Sequence, residues 1–465
     1  MGGGITTSGA RWRPLILTIG CLAAMALTGG HPPGHGVAMA MGAGQPVPIL
    51  RFAIDNDYYP EKQSPAQAAA DFTLLHRIGV KILRVGMGWD DTNPAPGVYN
   101  WGFWREFVRR AAAAGIEVYP YYLYPPAWAA GHWNDPPRHP ADYGRACGVM
   151  AHELHHWVRY YEVWNEVDQN IFWSGTQAQY VAALRACAGA IRAAQPGARI
   201  VLAGLTSLNA DWVNTLQQMG GKGLYDVVAF HTYAEAPWDT SAVESYTNPG
   251  STGPYSYAGA WDSVTDHGQR PLWMNEGGAT MATEFIDDER SQASWVRRTL
   301  ATLLSVPARP IALFGLYQVR DLDPALSTPI GDQQSVIFFQ HTGIFTSNGQ
   351  PKLAAHTYAD LVRLLDGHRP VIENNVAYSL TSGIDINMYL HAWRLETGAQ
   401  IVMLWNRLHT SSGSLRLQTR GAGAWLHEPD GTVRHVAGFD GRTITHVDVR
   451  AAAIPLLYEI TPASH

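Results

Sequence analysis

The order of apolar segments along this chain constrains its fold more than any other feature. Between residues 50 and 365, short apolar runs alternate with stretches whose apolar residues recur at intervals of three and four. The short runs predict buried strands and the longer stretches predict amphipathic helices, an alternation typical of βα units around a parallel sheet. The predicted strands are Leu50–Ile54, Lys81–Val85, Glu117–Tyr121, Tyr160–Trp164, Arg199–Ala203, Asp226–His231, Pro271–Asn275 and Ile311–Leu316.

Helical patterns complete the βα units. The pattern after the sixth strand, Tyr255–Asp266, is the weakest, and it follows a loop rich in Pro, Gly, Ser and Thr. Eight strands with crossover helices close most economically as a barrel, because a closed barrel has no edge strands. We therefore predict an α/β fold with a (β/α)8 TIM barrel over residues 50–366. The other predicted helices are Pro65–Ile78, Phe103–Ala114, Asp142–Val158, Thr176–Ala193, Asp211–Met219, Asp288–Leu304 and Lys352–Leu365.

The pattern changes after Gly367. Apolar and polar residues now alternate with a period of two, and Gly and Asp occur at the turns. Short strands at this spacing predict a small antiparallel β-sandwich over residues 367–465. The predicted strands are Asn387–Leu395, Gln400–Trp405, Ser414–Arg420, Thr432–Ala437 and Ile454–Ile460.

The amino-terminal segment has the layout of a secretory signal peptide. Arg11 and Arg13 precede an apolar run, Leu15–Leu27, and Ala38-Met39-Ala40 offers a small-x-small cleavage site. We predict a signal peptide over residues 1–40, a flexible lead-in over residues 41–49, and a secreted protein, extracellular or periplasmic. Removal of the signal leaves Cys147 and Cys187, which form either one disulfide or two buried thiols.

Composition excludes several classes of protein. The 33 Lys and Arg residues against 39 Asp and Glu residues do not favour a phosphate-binding surface, so we expect no nucleic-acid partner. No apolar run reaches the roughly 20 residues of a membrane span, so none is predicted. A hydrophobic content of 46% excludes a disordered chain.

Two glutamates end opposite strands of the predicted barrel. Glu166 follows the fourth strand and Glu276 ends the seventh, so both carboxyl groups are expected at the mouth of the barrel. Cleavage of a glycosidic bond needs one protonated and one ionised carboxyl group on either side of the bond. We expect these two groups to lie about five to six ångströms apart across one open pocket.

These segments resemble the retaining glycoside hydrolases of clan A. The matching segments are Trp164-Asn165-Glu166 and Trp273-Met274-Asn275-Glu276, and the resemblance covers about residues 50–365, with family 39 and related bacterial exopolysaccharide hydrolases the nearest in character. It implies that Glu276 is the nucleophile, that Glu166 is the acid/base, and that the substrate is an oligo- or polysaccharide. It implies neither an organic cofactor nor a metal.

The resemblance also assigns roles around the pair. Asn165 would bind the sugar's 2-hydroxyl, and Arg84 would hold the nucleophile ionised. Tyr233 could hydrogen-bond Glu276, and His231 could line the cleft, although a satisfied core histidine is an alternative. Further substrate-binding candidates are Trp128 and, more weakly, Trp133 as stacking platforms, and Tyr317, which stands where the clan usually has a Trp after the eighth strand.

The sequence also leaves other functions open. His152-Glu153-Leu154-His155-His156 fits the H-E-x-x-H pattern of zinc metalloproteases. The expected third ligand is missing, and in a barrel this segment lies on the amino-terminal rim, away from the open face. The barrel could also bind carbohydrate without cleaving it, or transfer sugars instead of hydrolysing them.

Overall fold

A computed structural model describes residues 47–236, 242–247, 257–280, 288–323, 333–382, 388–406, 414–448 and 454–462. Eight parallel strands form a nearly closed barrel, as predicted. The barrel strands are β1 (Arg51–Asn56), β2 (Ile82–Gly88), β3 (Glu117–Leu123), β4 (Tyr160–Val163), β5 (Arg199–Leu202), β6 (Val228–Thr232), β7 (Leu272–Gly277) and β8 (Leu313–Tyr317).

The strands follow one another around the ring in chain order. β1 pairs with β2 on one side and with β8 on the other. β5 and β6 close the ring through two isolated parallel bridges, Val201 to Val227 and Leu205 to Phe230. Because all strands run in the same direction, their carboxyl ends meet at one face of the barrel.

Helices surround this ring. The weakly predicted sixth helix is present as a short helix over Tyr257–Val264. The described helices are α1 (Pro65–Ala68), α2 (Phe72–Arg77), α3 (Trp89–Thr92), α4 (Gly102–Ala113), α5 (Pro140–Leu154), α6 (Gln177–Ala194), α7 (Ala210–Leu216), α8 (Tyr257–Val264), α9 (Glu289–Leu304), α10 (Gln333–Gln340) and α11 (Leu353–Leu365).

The neighbouring helices α5 and α6 are joined covalently. Cys147 of α5 and Cys187 of α6 form a disulfide, and their Cα atoms are 5.2 Å apart. Gly144 of α5 faces the backbone of Ala186 in α6, where a Cβ atom would lie only 2.9 Å from the carbonyl oxygen. The glycine lets the two helices approach closely, so the disulfide joins helices that are already in contact.

Two antiparallel sheets follow the barrel and confirm the predicted β-sandwich. One sheet has the order β10-β13-β16 and the other β15-β14-β17-β12-β11-β9. Four short strands were not predicted, namely β9, β10, β14 and β16. The strands are β9 (Val371–Ile372), β10 (Ala377–Ser382), β11 (Met388–Arg394), β12 (Gln400–Asn406), β13 (Ser414–Gln418), β14 (Gly423–His427), β15 (Val433–His435), β16 (Thr443–Asp448) and β17 (Leu456–Thr461).

One hydrophobic cluster extends from the barrel into the sandwich, which also has a buried cluster of its own. Trp393, Met403 and Trp405 of the sandwich belong to the same buried cluster as the barrel residues. The indole of Trp393 donates a hydrogen bond to the carbonyl oxygen of Leu304 at the end of α9, at 3.1 Å. The sandwich therefore braces the outer helices of the barrel.

Two predictions concern the parts of the chain outside this fold. The predicted signal peptide, and the lead-in up to residue 46, lie outside the described residues. Within the described part of the chain, no helix has both the length and the apolar character that crossing a membrane requires.

Candidate active site

Strained backbone after β4 directs Glu166 into the barrel. Trp164 (φ 74°) and Glu166 (φ 43°) both adopt the left-handed conformation, which costs a residue other than glycine roughly 1–3 kcal/mol. The amide of Glu166 donates to the carbonyl oxygen of Gly204 at 2.8 Å, and this bond helps to hold the turn. Glu276 needs no such turn, because it lies within β7.

The two glutamates lie close together, with His231 of β6 beside both. His231 Nδ1 is 2.7 Å from Glu166 Oε1 and 3.6 Å from Glu276 Oε2. One oxygen of each carboxylate and a ring nitrogen of His231 all lie within 4.8 Å of one another. This separation fits the short spacing of about 5 Å that a retaining glycosidase needs, and not the longer spacing of an inverting enzyme.

A buried guanidinium organises the carboxylates beneath this pair. Arg84 of β2 donates from Nη1 to Glu276 Oε2 at 2.6 Å and to Asp55 Oδ2 at 2.5 Å. Its Nε and Nη2 atoms donate to the two oxygens of Glu162, both at 2.8 Å. Nη2 also donates to Asn165 Oδ1 at 2.7 Å. The planar fork of arginine provides this set of directed donors, which a lysine could not match.

The sequence predicted a role for Arg84, Glu276 and Asn165, but not for the other two hydrogen-bond partners of Arg84, Asp55 and Glu162. Asp55 and Glu162 are both fully buried, and Asn275 donates from Nδ2 to Glu162 Oε2 at 3.0 Å. The available signal was a charged residue inside an otherwise apolar strand, as in Phe52-Ala53-Ile54-Asp55. A buried charge needs a partner, so such a residue in a predicted core strand points to a polar site.

Tyr233 lies just beyond β6 and contacts Glu276 as expected. Its hydroxyl donates to Glu276 Oε1 at 2.7 Å. Gly277 follows Glu276, and a Cβ there would lie 2.5 Å from the carbonyl oxygen of Thr232 and 2.4 Å from the methyl group of Met274. Close packing against β6 is therefore the physical reason for glycine at this position.

Burial dominates the protonation equilibria of the site. It raises the pKa of the Glu276 carboxyl above its usual range, although the charge of Arg84 and the hydrogen bond from Tyr233 both favour the ionised form. It raises the pKa of Asp55 more strongly, again against Arg84. Arg84 contacts Glu276 as expected and lowers this pKa, but desolvation acts in the opposite direction and is the larger of the two effects.

His231 is held as a neutral ring. Burial, followed by the charge of Arg84, lowers its pKa well below the usual range. Its Nε2 atom is buried without a hydrogen-bond partner and faces Gly204, where a Cβ would be only 2.1 Å away. Gly204 therefore leaves the space that the ring needs to reach Glu166.

Both glutamates are buried, which contradicts the expectation of an open pocket. The whole residues Glu166 and Glu276 have 0% of their surface exposed. The spacing of the pair agrees with the expectation, but its accessibility does not. A ligand can reach this pair only if side chains at the carboxyl face of the barrel move apart.

Aromatic side chains cover the Glu276 side of the mouth. We call Tyr59, Tyr233, Tyr317, Phe338 and Phe339 the aromatic cap, since they form one buried cluster. The ring of Tyr233 lies 5.4 Å from that of Phe339, and the ring of Tyr317 lies 5.8 Å from it. Phe338 and Phe339 belong to α10, a helix that follows β8. The cap joins Glu276 through Tyr233 and helps to exclude solvent.

A fifth carboxylate lies near the edge of the site. Asp57 follows β1 and is partly exposed. Its Oδ1 accepts a hydrogen bond from the hydroxyl of Tyr121 at 3.0 Å, and its Oδ2 accepts one from the hydroxyl of Tyr317 at 3.2 Å. Tyr317 is the last residue of β8, the place at which the resemblance anticipated a sugar-binding aromatic side chain.

The two candidate stacking platforms lie in the loop after β3. Trp128 is partly exposed, and its indole donates to the carbonyl oxygen of Asn93 at 3.0 Å. Trp133 is also partly exposed and packs edge-on against Tyr124 at 5.2 Å.

The H-E-x-x-H segment does not form a helical zinc site. α5 ends at Leu154, so His156 lies beyond the helix that the motif requires. Glu153 forms an ion pair with Arg105 at 3.0 Å. Within the described ranges, the group of side chains with metal-binding geometry is Glu166, His231 and Glu276. Arg84 lies 2.6 Å from Glu276 and opposes a cation there by charge repulsion.

Comparisons with known proteins agree with this architecture. The model of the glycoside hydrolase 42 family, described as beta-galactosidase, matches residues 57–139. No curated protein sequence matches the chain.

Solved structures show the likeness over most of the chain. A family 39 glycoside hydrolase from Bacteroides cellulosilyticus WH2 has a TM-score of 0.67 at 16% identity, covering 89% of this chain and 81% of its own. A family 30 endoxylanase from Clostridium papyrosolvens C71 has a TM-score of 0.58 at 14% identity, covering 90% of this chain and 98% of its own. A monomeric beta-xylosidase from Caulobacter crescentus CB15 has a TM-score of 0.56 at 16% identity, covering 91% of this chain and 98% of its own. The fold is thus the one that clan A glycoside hydrolases share, as the resemblance implied.

Proposed function

We propose that this protein is an exported retaining glycoside hydrolase that cleaves O-glycosidic bonds of an oligo- or polysaccharide. The observation that supports this most strongly is the glutamate pair at the ends of β4 and β7, with oxygens of both carboxylates within 4.8 Å of His231 and of each other. The shared fold of the family 39 and family 30 enzymes supports the same conclusion.

The reaction proceeds by double displacement. A carboxylate oxygen of Glu276 attacks the anomeric carbon, the bond to the leaving oxygen breaks, and that oxygen takes a proton from Glu166. Water then attacks the anomeric carbon of the glycosyl ester, gives a proton to Glu166 and releases Glu276. Arg84 and Tyr233 contact the two oxygens of Glu276 and favour its ionised form as attack begins.

Asn165 is suited to bind the reacting sugar. Its Oδ1 accepts from Arg84, which fixes the orientation of the amide, while its buried Nδ2 has no hydrogen-bond partner among the described residues. This arrangement leaves one directed donor beside the pair for a ligand oxygen. We assign that donor to the sugar's 2-hydroxyl, where a hydrogen bond stabilises the charged transition state more than the ground state.

The closed mouth adds a requirement to this function. Because Glu166 and Glu276 are buried, the substrate must displace part of the surface that covers them. The aromatic cap has the chemistry for contact with sugar once it moves, since aromatic faces pack well against the apolar faces of pyranose rings. Trp128 and Trp133 offer similar faces in the loop after β3 and are the proposed outer platforms.

Export is the localisation that we propose. The basic residues and apolar run before residue 40 have the order of a secretory signal. The disulfide between Cys147 and Cys187 supports the same conclusion, since such bonds persist mainly in oxidising compartments.

A screen of chromogenic glycosides and of plant and bacterial polysaccharides, run on the wild type beside Glu276→Gln, tests the function. We expect turnover by the wild type and none by Glu276→Gln. Glu166→Ala should still cleave glycosides with activated leaving groups, and added azide should restore part of its activity. Glu276→Ala should show no activity with activated glycosides, with or without azide. Equal loss in both alanine variants with activated and ordinary substrates would contradict the assignment.

The same screen separates the alternatives. Polysaccharide affinity without turnover would indicate a carbohydrate-binding barrel. Formation of longer oligosaccharides at the expense of free sugar would indicate transglycosylation through the same glycosyl intermediate.

A further inference from the structure

The charge around the candidate active site is strongly unbalanced. One guanidinium, that of Arg84, faces a group of acidic side chains, and His231 beside them is neutral. Burial raises the pKa values of Asp55 and Glu276, but it does not supply positive charge. The acidic residues of the group are Asp55, Asp57, Glu162, Glu166 and Glu276.

Asp57 differs from the other four because solvent reaches it. Asp55, Glu162, Glu166 and Glu276 are fully buried, whereas Asp57 is partly exposed. Asp57 also lies two residues beyond Asp55, and alternate residues of an extended chain share a face. It therefore stands about one layer nearer the mouth than the carboxylate that contacts Arg84. A ligand that enters from the carboxyl face meets Asp57 before it meets the glutamate pair.

Two other strands hold Asp57 in place. Tyr317 of β8 pairs in register with Asp55, and its hydroxyl donates to Asp57. Tyr121 of β3 reaches Asp57 from the other side, across β2. It can do so because β2 has Gly86 at the crossing, where a Cβ would lie only 2.9 Å from the tyrosine ring.

The same tyrosine links Asp57 to the reacting pair. The guanidinium carbon of Arg84 lies 3.9 Å from the centre of the Tyr121 ring, and Arg84 contacts Glu276. Asp57 is near enough for its charge to raise the pKa of Glu276. A charge on a sugar bound beside Glu276 would therefore also interact with the charge of Asp57.

Basic side chains near this face are engaged elsewhere. Arg320 pairs with Asp71 at 2.5 Å, and Lys352 pairs with Asp321 at 2.6 Å. Lys62 lies over the ring of Tyr59, 5.8 Å from its centre. Among the described residues, Arg320 and Lys352 are therefore already paired with carboxylates of the protein.

We propose that Asp57, held by Tyr121 and Tyr317, sets the charge selectivity of the candidate active site, so that it accepts neutral or ammonium-bearing sugars and rejects uronic acids. This inference rests on the proposed glycosidase function and names the substrate class within it. The alternative is that the contacts of Asp57 only join β1, β3 and β8.

Three glycosides that differ only at carbon 6 test this assignment. They carry one nitrophenyl leaving group and the ring configuration found active in the screen, with a hydroxyl, an ammonium or a carboxylate at that carbon. For the wild type we expect kcat/KM to be at least tenfold lower for the uronide than for the neutral glycoside. Asp57→Asn keeps the size of the side chain but removes its charge. In this variant, the ratio of kcat/KM for the neutral glycoside to kcat/KM for the uronide should fall about tenfold, and kcat/KM for the ammonium glycoside should fall more than for the other two.

Glu153→Gln is the matched control, because it removes the same charge from the amino-terminal rim. It should leave all three rates unchanged. An unchanged ratio in Asp57→Asn, or an equal fall for all three glycosides, would overturn the inference. So would efficient cleavage of the uronide by the wild type.

A second measurement needs no variant and covers the case in which Asp57→Asn does not fold. The wild type is inhibited with the three corresponding free sugars, and we expect the uronate to be the weakest inhibitor by about tenfold or more. Equal inhibition by all three would overturn the inference. Failure of the wild type to cleave any glycoside would contradict the proposed function itself, whereas cleavage without charge discrimination contradicts this inference alone.

Discussion

Among single residues, Asp168 shows how the loop that carries Glu166 responds to pH. Its two carboxylate oxygens accept from the amide and the hydroxyl of Thr206, at 3.1 and 2.9 Å, and so join the loops after β4 and β5. Burial, opposed by these two bonds, raises the pKa of Asp168 to about 6. In the unfolded chain the pKa is about 3.9, so the folded state holds this proton more tightly.

Folding stability should therefore fall as the pH rises. The contribution of Asp168 is most favourable below about pH 4 and is lost as the pH passes through about 6. Asp168→Asn mimics the protonated form, so we expect it to match the wild type near pH 4 and to be about 1–2 kcal/mol more stable near pH 7. Denaturant unfolding at both values measures this, and a difference that does not change with pH would contradict it.

A second prediction concerns the space beside His231. Gly204→Ala would place a Cβ about where His231 Nε2 now lies, since the two would be 2.1 Å apart. The ring must move and lose its contact with Glu166, so we expect kcat/KM to fall about a hundredfold. Gly197→Ala is the control, because a Cβ there meets nothing within 4 Å. Normal activity in a folded Gly204→Ala variant would count against the role of this contact.

At the scale of helices and strands, the disulfide between α5 and α6 is a defined source of stability. It links residues 40 apart in the sequence, and closing a loop of this length stabilises a fold by about 3–4 kcal/mol through the entropy of the unfolded chain. We expect the double variant Cys147→Ala and Cys187→Ala to lose about that much free energy of unfolding. Reductant should lower the stability of the wild type and leave the variant unaffected; equal sensitivity would argue against the bond.

The barrel strands were predictable because each combines an apolar run with a following helical pattern. The sandwich was predicted less completely. Strand β10, for example, has only two large apolar residues, Tyr378 and Leu380, and its pairing with β13 becomes evident only in three dimensions. The helix predicted to reach Val158 ends at Leu154. Trp157 and Val158 continue the apolar pattern of the helix in the sequence, but in the structure they form the turn into β4.

Some residues of the candidate site could likewise be predicted from the sequence, and others could not. Glu166 and Glu276 could be found because a local motif and a strand end coincide at each. The position of Asp55 in an apolar strand indicates a polar site, but the roles of Asp55 and Asp57 depend on partners from β2, β3 and β8, which the local sequence does not identify. The burial of the pair was unpredictable for a similar reason, because it depends in part on how α10 packs.

At the scale of the whole molecule, the sandwich is part of the structural core. Trp393 lies fully buried between the two parts and bonds to the end of α9. Trp393→Ala would remove a large side chain from this core and should cost about 3–5 kcal/mol. Since one cluster spans both parts, we expect barrel and sandwich to unfold in one transition. In Trp393→Ala this transition should occur at a lower denaturant concentration than in the wild type. Two separated transitions in the wild type would contradict a shared core.

The shared core also gives the site a rigid frame. α9 follows β7, the strand that carries Glu276, and it packs against the sandwich at its far end. Glu276, the proposed nucleophile, is thus held on a braced element, whereas the aromatic cap beside it involves α10. This contrast agrees with a reaction centre of fixed geometry beneath a cover that must move.

In the proposed mechanism, Glu276 forms a covalent bond with the sugar. The most direct measurement is to incubate the wild type with a 2-deoxy-2-fluoro glycoside that has a dinitrophenyl leaving group, and to locate the label by peptide mass spectrometry. The fluorine slows hydrolysis of the glycosyl ester, so the intermediate should accumulate with one sugar per chain on Glu276. A label on another side chain, or rapid turnover with inversion at the anomeric carbon and no label, would contradict the account.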